Sequence, residues 1–174
     1  MHETLDAPSV HHELERARAT FRSFVESATP DALQRPSDGT RWTNGQLLFH
    51  MLFGYLVVLR LLPLVRVFGR LPVRYSRVFA AALNAATTPY DRINYLGSCG
   101  GALVFRGPRL LRRFDRTIMA LHRKLDGETG VSLGRRMHFP VRWDPFFQDT
   151  MTLLEVYHFA TQHFDFHARQ LTLD

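Results

Sequence analysis

Residues 43–68 read TNGQLLFHMLFGYLVVLRLLPLVRVF, and this stretch decides the fold because it is the longest apolar run in the chain. Thr43 followed three residues later by Gln46 is typical of a capping box, in which each side chain accepts the backbone N–H of the other residue at the start of a helix. Apolar residues then continue to at least Leu62. A proline lacks the N–H that a helix interior needs. The stretch therefore predicts a helix that starts after Thr43 and is ended or kinked by Pro63.

The same stretch is apolar enough to suggest a membrane span. It also carries His50, Arg60 and Arg66, however. Each charged side chain near the centre of a bilayer costs roughly 2.5–3.5 kcal/mol. We therefore interpret the stretch as a buried helix that continues into an amphipathic basic segment.

Three further long helices are predicted from apolar residues at helical spacing and from signals at the helix ends. They cover Ser9 to Ala28, Pro108 to Leu125, and Asp144 to about Gln170, with Asp144 as a cap. A shorter helix is predicted from Tyr75 to Ala86, and the glycine-rich stretch 97–108, GSCGGALVFRGP, is predicted to be a loop. Four long helices with almost no strand pattern predict an all-α four-helix bundle.

Length and composition favour one domain, 1–174, since 174 residues with 45% hydrophobic side chains support one sizeable core. The net charge of +6 permits contact with nucleic acid, a membrane surface or anionic substrates without selecting among them. Cys99 is the only cysteine, so an intrachain disulfide cannot form, and residues 1–18 lack the apolar core of a secretory signal. We therefore expect a cytoplasmic protein.

Three histidines form the candidate functional set. His163 and His167 are four residues apart on the predicted last helix, so their imidazoles project from one face. Such a pair can bind one metal ion or can simply be half-buried, and the glutamate of the HExxH motif is missing here. His50 lies in the most apolar helix, where a lone histidine is more often a hydrogen-bonded core residue than a ligand. Together, however, the three histidines offer three ring nitrogens from facing helices, and metal sites in helical bundles are built from such side chains. We therefore predict a metal site at His50, His163 and His167.

The positions of these histidines indicate how the helices run. At a rise of about 1.5 Å per residue, His50 lies about 10 Å from the start of its helix and His163 about 25 Å from the start of the last one. Parallel helices would leave the two histidines ~15 Å apart, whereas antiparallel helices bring them level. This requires the second and third helices to be parallel, in an up-down-down-up order with a long crossover from about Pro63 to Pro108.

The stretches RWTNGQLLFHML (41–52) and HFDFHARQL (163–171) resemble the DinB/YfiT-like superfamily of four-helix metalloenzymes. The resemblance covers helix order and size over most of the chain. Its specific part is one histidine on the second helix after a Trp-Thr start, together with a C-terminal H-x-x-x-H followed by Gln-Leu. It implies that His50, His163 and His167 take the places of the metal ligands and that Gln170 matches the tail of the motif. Arg-Gly often follows the last histidine in the family, whereas Ala168 and Arg169 follow it here.

Three imidazoles suit Zn²⁺, with Ni²⁺ or another divalent ion as alternatives. Three protein ligands leave a coordination position open, which is typical of catalytic sites. The resemblance implies an enzyme that uses a low-molecular-weight thiol such as mycothiol or bacillithiol, as an S-transferase or isomerase acting on a small-molecule substrate. Arginines near the site are expected to bind a carboxylate of the cofactor. We also expect a homodimer.

An alternative is a non-enzymatic interaction module. The segment RVFGRLPVRYSR, residues 66–77, places four arginines near helical spacing among apolar residues, as in an element that docks on a partner or a membrane surface. These arginines are Arg66, Arg70, Arg74 and Arg77. Gly69 and Pro72 interrupt the segment, which favours an ordinary solvated face. No nucleic-acid partner is expected, because the sequence contains no recognised binding motif for one.

Overall fold

The computed structural model describes residues 5–173, and most of them are helical. The elements are α1 (Ala7–Ser27), α2 (Pro30–Gln34), α3 (Asn44–Phe68), α4 (Val73–Ala85), α5 (Thr87–Val104), α6 (Gly107–Asp126), α7 (Gly130–Leu133), β1 (Arg136–His138), β2 (Thr150–Thr152) and α8 (Leu153–Ala168). The two short strands are antiparallel, with Met137 opposite Met151. The predicted all-α class is confirmed, but six of these helices, instead of four, have 13 or more residues. The predicted domain bounds of 1–174 extend outside the described residues at both ends.

The helix α3 begins as predicted. Thr43 Oγ1 accepts the backbone N–H of Gln46 at 3.4 Å, and Gln46 Oε1 accepts the backbone N–H of Thr43 at 3.0 Å. Pro63 was predicted to end or kink the helix, and the first of these alternatives is wrong, because α3 continues through Pro63 to Phe68. The proline removes one backbone hydrogen bond, whereas twelve residues of this helix are buried, so packing outweighs the loss.

By length and composition alone, α3 would be able to cross a membrane. Core helices of water-soluble proteins pass the same test, and 56% of its most apolar window is buried inside this protein. The buried part of α3 packs mainly against α8, α5 and α6.

The centre of the core is a group of aromatic rings contributed by α1, α3, α6 and α8. Phe21 stacks on Phe114 with ring centroids 4.0 Å apart, and Tyr55 meets Phe114 edge-on at 5.3 Å. Phe164 lies 6.1 Å from both Tyr55 and Phe114. All four rings are almost completely buried, so these four helices share one apolar interior.

The predicted loop at 97–108 is a second correction, because residues 97–104 belong to α5. A Cβ atom on Gly101 would lie 2.1 Å from the ring of Phe49, so the glycine allows α5 to approach α3 closely. Glycine weakens an isolated helix, but packing against α3 compensates for this here. The short helix predicted at Tyr75 to Ala86 is present as α4. The connection between α3 and α6 therefore contains two helices.

The start of the last helix is a third correction. Sequence signals placed it at Asp144, whereas α8 begins at Leu153. Thr152 and Glu155 form the actual capping box: Glu155 Oε2 accepts the Thr152 backbone N–H at 2.6 Å, and Thr152 Oγ1 accepts the Glu155 backbone N–H at 3.2 Å. Asp144 instead caps a turn, where its Oδ1 accepts the backbone N–H of Phe146 at 2.9 Å.

α3 and α8 lie antiparallel, because residues early in α3 contact residues at or after the end of α8. Asn44, at the start of α3, hydrogen-bonds Thr172, which lies after the end of α8. Farther along α3, Tyr55 Oη lies 3.4 Å from Thr161 Oγ1, nearer the start of α8. His50 therefore falls at the same level as the histidines of α8.

Candidate metal centre

The three histidines singled out by sequence lie together in the interior. Their ring centroids are 5.0 Å apart for His50 and His163, 4.7 Å for His50 and His167, and 4.6 Å for His163 and His167. One ring nitrogen from each lies within 4.8 Å of the other two. As whole residues, the three histidines are 3%, 7% and 8% exposed, respectively. The structure thus places in one cluster the residues that sequence assigned to one site.

His50 is oriented by α5. Its Nδ1 lies 3.1 Å from Ser98 Oγ, and that hydroxyl donates its proton to the backbone carbonyl of Asn94 at 2.8 Å. The hydroxyl has only one proton, so Ser98 Oγ must accept from His50 Nδ1–H. This leaves the lone pair on His50 Nε2. The indole ring of Trp42 stacks on the imidazole of His50, with ring centroids 4.2 Å apart, and restricts its orientation.

His163 is held by Asp144, the residue that sequence assigned to a helix cap. Asp144 Oδ2 accepts from His163 Nδ1 at 2.8 Å. Gly54 of α3 lies against the same ring, and a Cβ atom there would be 2.7 Å from His163 Cδ2 and 3.1 Å from Nε2. The absence of a side chain at Gly54 therefore makes room for the imidazole between α3 and α8.

His167 is held by the residue that the family resemblance singled out beside it. Gln170 Oε1 accepts from His167 Nδ1 at 2.7 Å. The lone pair of His167 is therefore on Nε2, as it is in the other two histidines. Each ligand candidate has an acceptor behind it, which is how protein groups orient metal-binding histidines.

The electrostatics of the cluster favour the neutral form of His50 and His167. Burial, followed by the neighbouring His163 and His167, lowers the pKa of His50 well below its usual value. Burial and His163 lower the pKa of His167 to about 4. Neutral imidazole is the form that binds a metal ion.

The nitrogen set fits a divalent cation. His163 Nε2 is fully buried, and no group in residues 5–173 hydrogen-bonds to it. A buried nitrogen lone pair without a partner costs free energy, and a cation shared with the other two histidines would remove that cost.

The family model of the DinB superfamily matches residues 13–171. The chain belongs to the DinB superfamily. No curated protein and no solved structure matches it.

The histidine cluster of this DinB protein opens into a cavity of about 190 Å³. Aromatic rings from α3, α8 and the segment before β2 form much of its wall, including Phe53, Phe146, Phe159 and Phe166. Among the described residues that line it, none is an arginine or a lysine, so the expected arginine beside the site is not part of the wall. The only charged side chain of the wall is Asp144, which is bonded to His163.

Sequence reasoning missed the residues that support the histidines. Ser98 lies in the stretch that was predicted to be a loop, and Asp144 was predicted only as a helix cap. Trp42 precedes the capping box of α3, but nothing in the sequence indicated that its ring would stack on His50, eight residues later. The spacing of Gly54, four residues after His50 and therefore on the same face of α3, was a usable signal for close packing.

Proposed function

We propose that this DinB-superfamily protein is a divalent-metal-dependent enzyme whose ligands are His50, His163 and His167. The observation that carries the proposal is that each of the three imidazoles has its Nδ1 bound to an outer acceptor, so that three Nε2 atoms remain for one ion. Zn²⁺ is the first candidate because imidazole ligands suit it, with Ni²⁺ or another divalent ion as alternatives.

Each supporting residue has a defined task in this proposal. Asp144 and Gln170 hold the imidazoles of α8 in the tautomer that offers Nε2, and Ser98 does the same for His50. A bound cation would supply positive charge that favours the deprotonated form of a thiol or water beside it. The aromatic wall limits the access of bulk water, which strengthens electrostatic interactions at the site.

We further propose that the reaction is an S-transfer or isomerisation that uses a low-molecular-weight thiol such as mycothiol or bacillithiol. Membership of the DinB superfamily supports this, as does a three-histidine set that leaves a coordination position for sulfur. The cavity beside the histidines supports a small-molecule substrate, because its volume of about 190 Å³ suits a molecule of that size.

Metal binding is tested with His163→Ala, and His158→Ala is the matched control. Both histidines lie on α8, but His158 bonds to Glu13 at 2.9 Å and is not part of the cluster. We expect His163→Ala to weaken Zn²⁺ binding by more than about 100-fold, because loss of a supporting residue alone costs 10–100-fold. His158→Ala should retain one ion per chain. Equal metal content in the two variants would contradict the site assignment.

The activity is tested by incubating the metal-loaded protein with mycothiol or bacillithiol and a small electrophile, and following conjugate formation by mass spectrometry. The reaction should stop when the metal is removed with a chelator and resume when Zn²⁺ is restored. Metal binding without any metal-dependent conjugation would leave the site intact but remove the thiol-transfer assignment.

The predicted helix order is part of the same proposal. We propose an up-down-down-up bundle of α1, α3, α6 and α8 in one domain, and we propose that the protein is a cytoplasmic homodimer. The reversed pairing of α3 with α8 supports this order. The pairing of α3 with α6 also supports it, because Tyr55 contacts Phe114 whereas Arg66, farther along α3, bonds Glu128, which follows α6.

A second candidate is docking on an anionic membrane surface or partner through the end of α3 and α4. Arg66 is not available for this, because its Nε donates to Glu128 at 2.9 Å. Exposed apolar side chains nevertheless lie beside the three other arginines of the segment, and Val78 is 70% exposed. Co-sedimentation with phosphatidylserine vesicles at low and high salt tests this candidate, and absence of binding at low salt would remove it.

A further inference from the structure

The wall of the cavity beside the histidines carries almost no charge. Asp144 is the one charged side chain among the described residues that line it, and that carboxylate is bonded to His163. Burial, together with the nearby Asp144, raises the pKa of Tyr90 to about 12, so the phenol of the wall is neutral as well. A charged group on a ligand would therefore enter this cavity without a partner of opposite charge in the wall, which is energetically costly.

A second cavity shares part of its wall with the first, and none of the described residues that line it is a histidine. It has a volume of about 220 Å³, and its wall is apolar and aromatic throughout. Val57, Tyr90, Trp143 and Phe147 border both cavities. Tyr90 stacks on Trp143 at 3.8 Å, and the indole N–H of Trp143 donates to the backbone carbonyl of Leu83 at 2.8 Å, so the shared wall is well ordered.

Among the described residues that line the two cavities, the buried side-chain atoms without a hydrogen-bond partner all belong to the wall beside the histidines. Besides His163 Nε2, they are the indole nitrogen of Trp42 and the side-chain oxygen of Asn94, both buried. Trp42 stacks on His50, and Asn94 lies one turn before Ser98, which bonds His50. The two cavities together are thus polar at one end and apolar at the other.

We propose that the substrate is a neutral molecule with one aromatic or alicyclic ring and a short hydrocarbon extension. The ring occupies the cavity beside the histidines, and the extension occupies the adjoining apolar cavity. The volumes are appropriate, because a cavity of about 150 Å³ already holds benzene in another protein. This inference rests on the proposed function for the reaction, but the two cavities and their wall are independent of the metal.

The size and charge of the ligand are tested with toluene, butylbenzene and 4-phenylbutylammonium, titrated by calorimetry into the full chain with and without Zn²⁺. Each added methylene that is buried strengthens binding by about fourfold, so butylbenzene should bind about 60-fold more tightly than toluene. The ammonium compound has a similar length and cannot coordinate the metal. We expect it to bind more than 100-fold more weakly than butylbenzene.

Three variants locate the ligand. Val57 borders both cavities, so Val57→Phe places a larger side chain in the space where they meet. This variant should abolish binding of both hydrocarbons. Leu61→Phe fills only the second cavity, so it should remove the advantage of butylbenzene and leave toluene binding unchanged. Val67→Phe is the control on the same helix, because Val67 is 53% exposed and borders neither cavity.

The outcomes separate this inference from the proposed function, because the absorption spectrum of the same protein loaded with Co²⁺ in place of Zn²⁺ reports the histidine site directly. A cobalt spectrum without hydrocarbon binding would overturn the substrate class and leave the metal site standing. Butylbenzene that binds no better than toluene, or an ammonium compound that binds equally well, would also overturn it. Hydrocarbon binding in a protein that takes up no metal would support the cavity assignment and contradict the enzymatic proposal.

Discussion

Substitution of Gly54 by alanine tests the metal centre without removing a ligand. The added Cβ would lie 2.7 Å from His163 Cδ2, whereas carbon atoms in contact are normally about 3.5–4.0 Å apart. The imidazole must therefore move by about 1 Å. Metal–ligand distances tolerate only about 0.2 Å, so His163 Nε2 would no longer reach an ion shared with the other two histidines.

The expected result is a fall in Zn²⁺ affinity of about 100-fold or more, since misplacing a ligand should cost at least as much as losing the group that orients it. The protein should still fold. An alanine in a helix interior gains about 0.5–1 kcal/mol over glycine, and this partly offsets an overpacking cost of about 1–3 kcal/mol.

Competition with a chromophoric chelator measures the affinity, and urea unfolding measures the stability. Gly97→Ala is the matched control, because Gly97 is also helical and a Cβ there would meet no atom within 4 Å. It should bind Zn²⁺ like the unmodified protein and be more stable by about 0.5–1 kcal/mol. Undiminished Zn²⁺ affinity in Gly54→Ala would refute the argument that His163 is a ligand packed against α3.

Three further predictions concern the support, the titration and the packing of the site. Gln170→Ala should weaken Zn²⁺ binding by about 10–100-fold in the chelator assay, because His167 loses the acceptor on its Nδ1; an unchanged affinity would exclude that role. In metal-free protein, His167 alone should lower the free energy of unfolding by about 3 kcal/mol as the pH drops from about 6.5 to 4, because the unfolded chain takes up a proton at His167 more readily than the folded protein, whose pKa there is about 4. His50, whose pKa burial also lowers, should add to this fall. Urea unfolding across this pH range measures the fall, which His167→Ala should reduce. Phe114→Ala should cost about 3–5 kcal/mol by the same method, since this ring packs against Phe21, Tyr55 and Phe164; a cost below 1 kcal/mol would contradict its central place in the core.

Local signals predicted some helix boundaries and missed others. The capping box of Thr43 and Gln46 is a short-range interaction, so the start of α3 was predictable from four residues. Asp144 followed by Pro145 is an equally good local signal, yet α8 starts nine residues later. Thr152 and Glu155 also form a capping box, and local chemistry alone does not rank two competing start signals.

At residues 97–104 the local signals predicted a loop where the structure has a helix. Its glycines predict a loop because they favour the unfolded backbone. The ring of Phe49 occupies the space that a side chain at Gly101 would need, so the glycine is what permits the two helices to pack. Ser98 reaches His50 only because this segment is helical and lies against α3.

Composition and periodicity were sufficient to predict the helical class and to propose the three ligands, because apolar spacing and the i, i+4 relation of His163 and His167 depend on local geometry. The supporting contacts were not predictable in this way. His163 and Asp144 are 19 residues apart, and His50 and Ser98 are 48 apart, with no periodic pattern linking either pair. Such pairs form only when packing of the whole core fixes the relative positions of the helices, so the orientation of each imidazole and the uncharged wall beside it are properties of the tertiary structure.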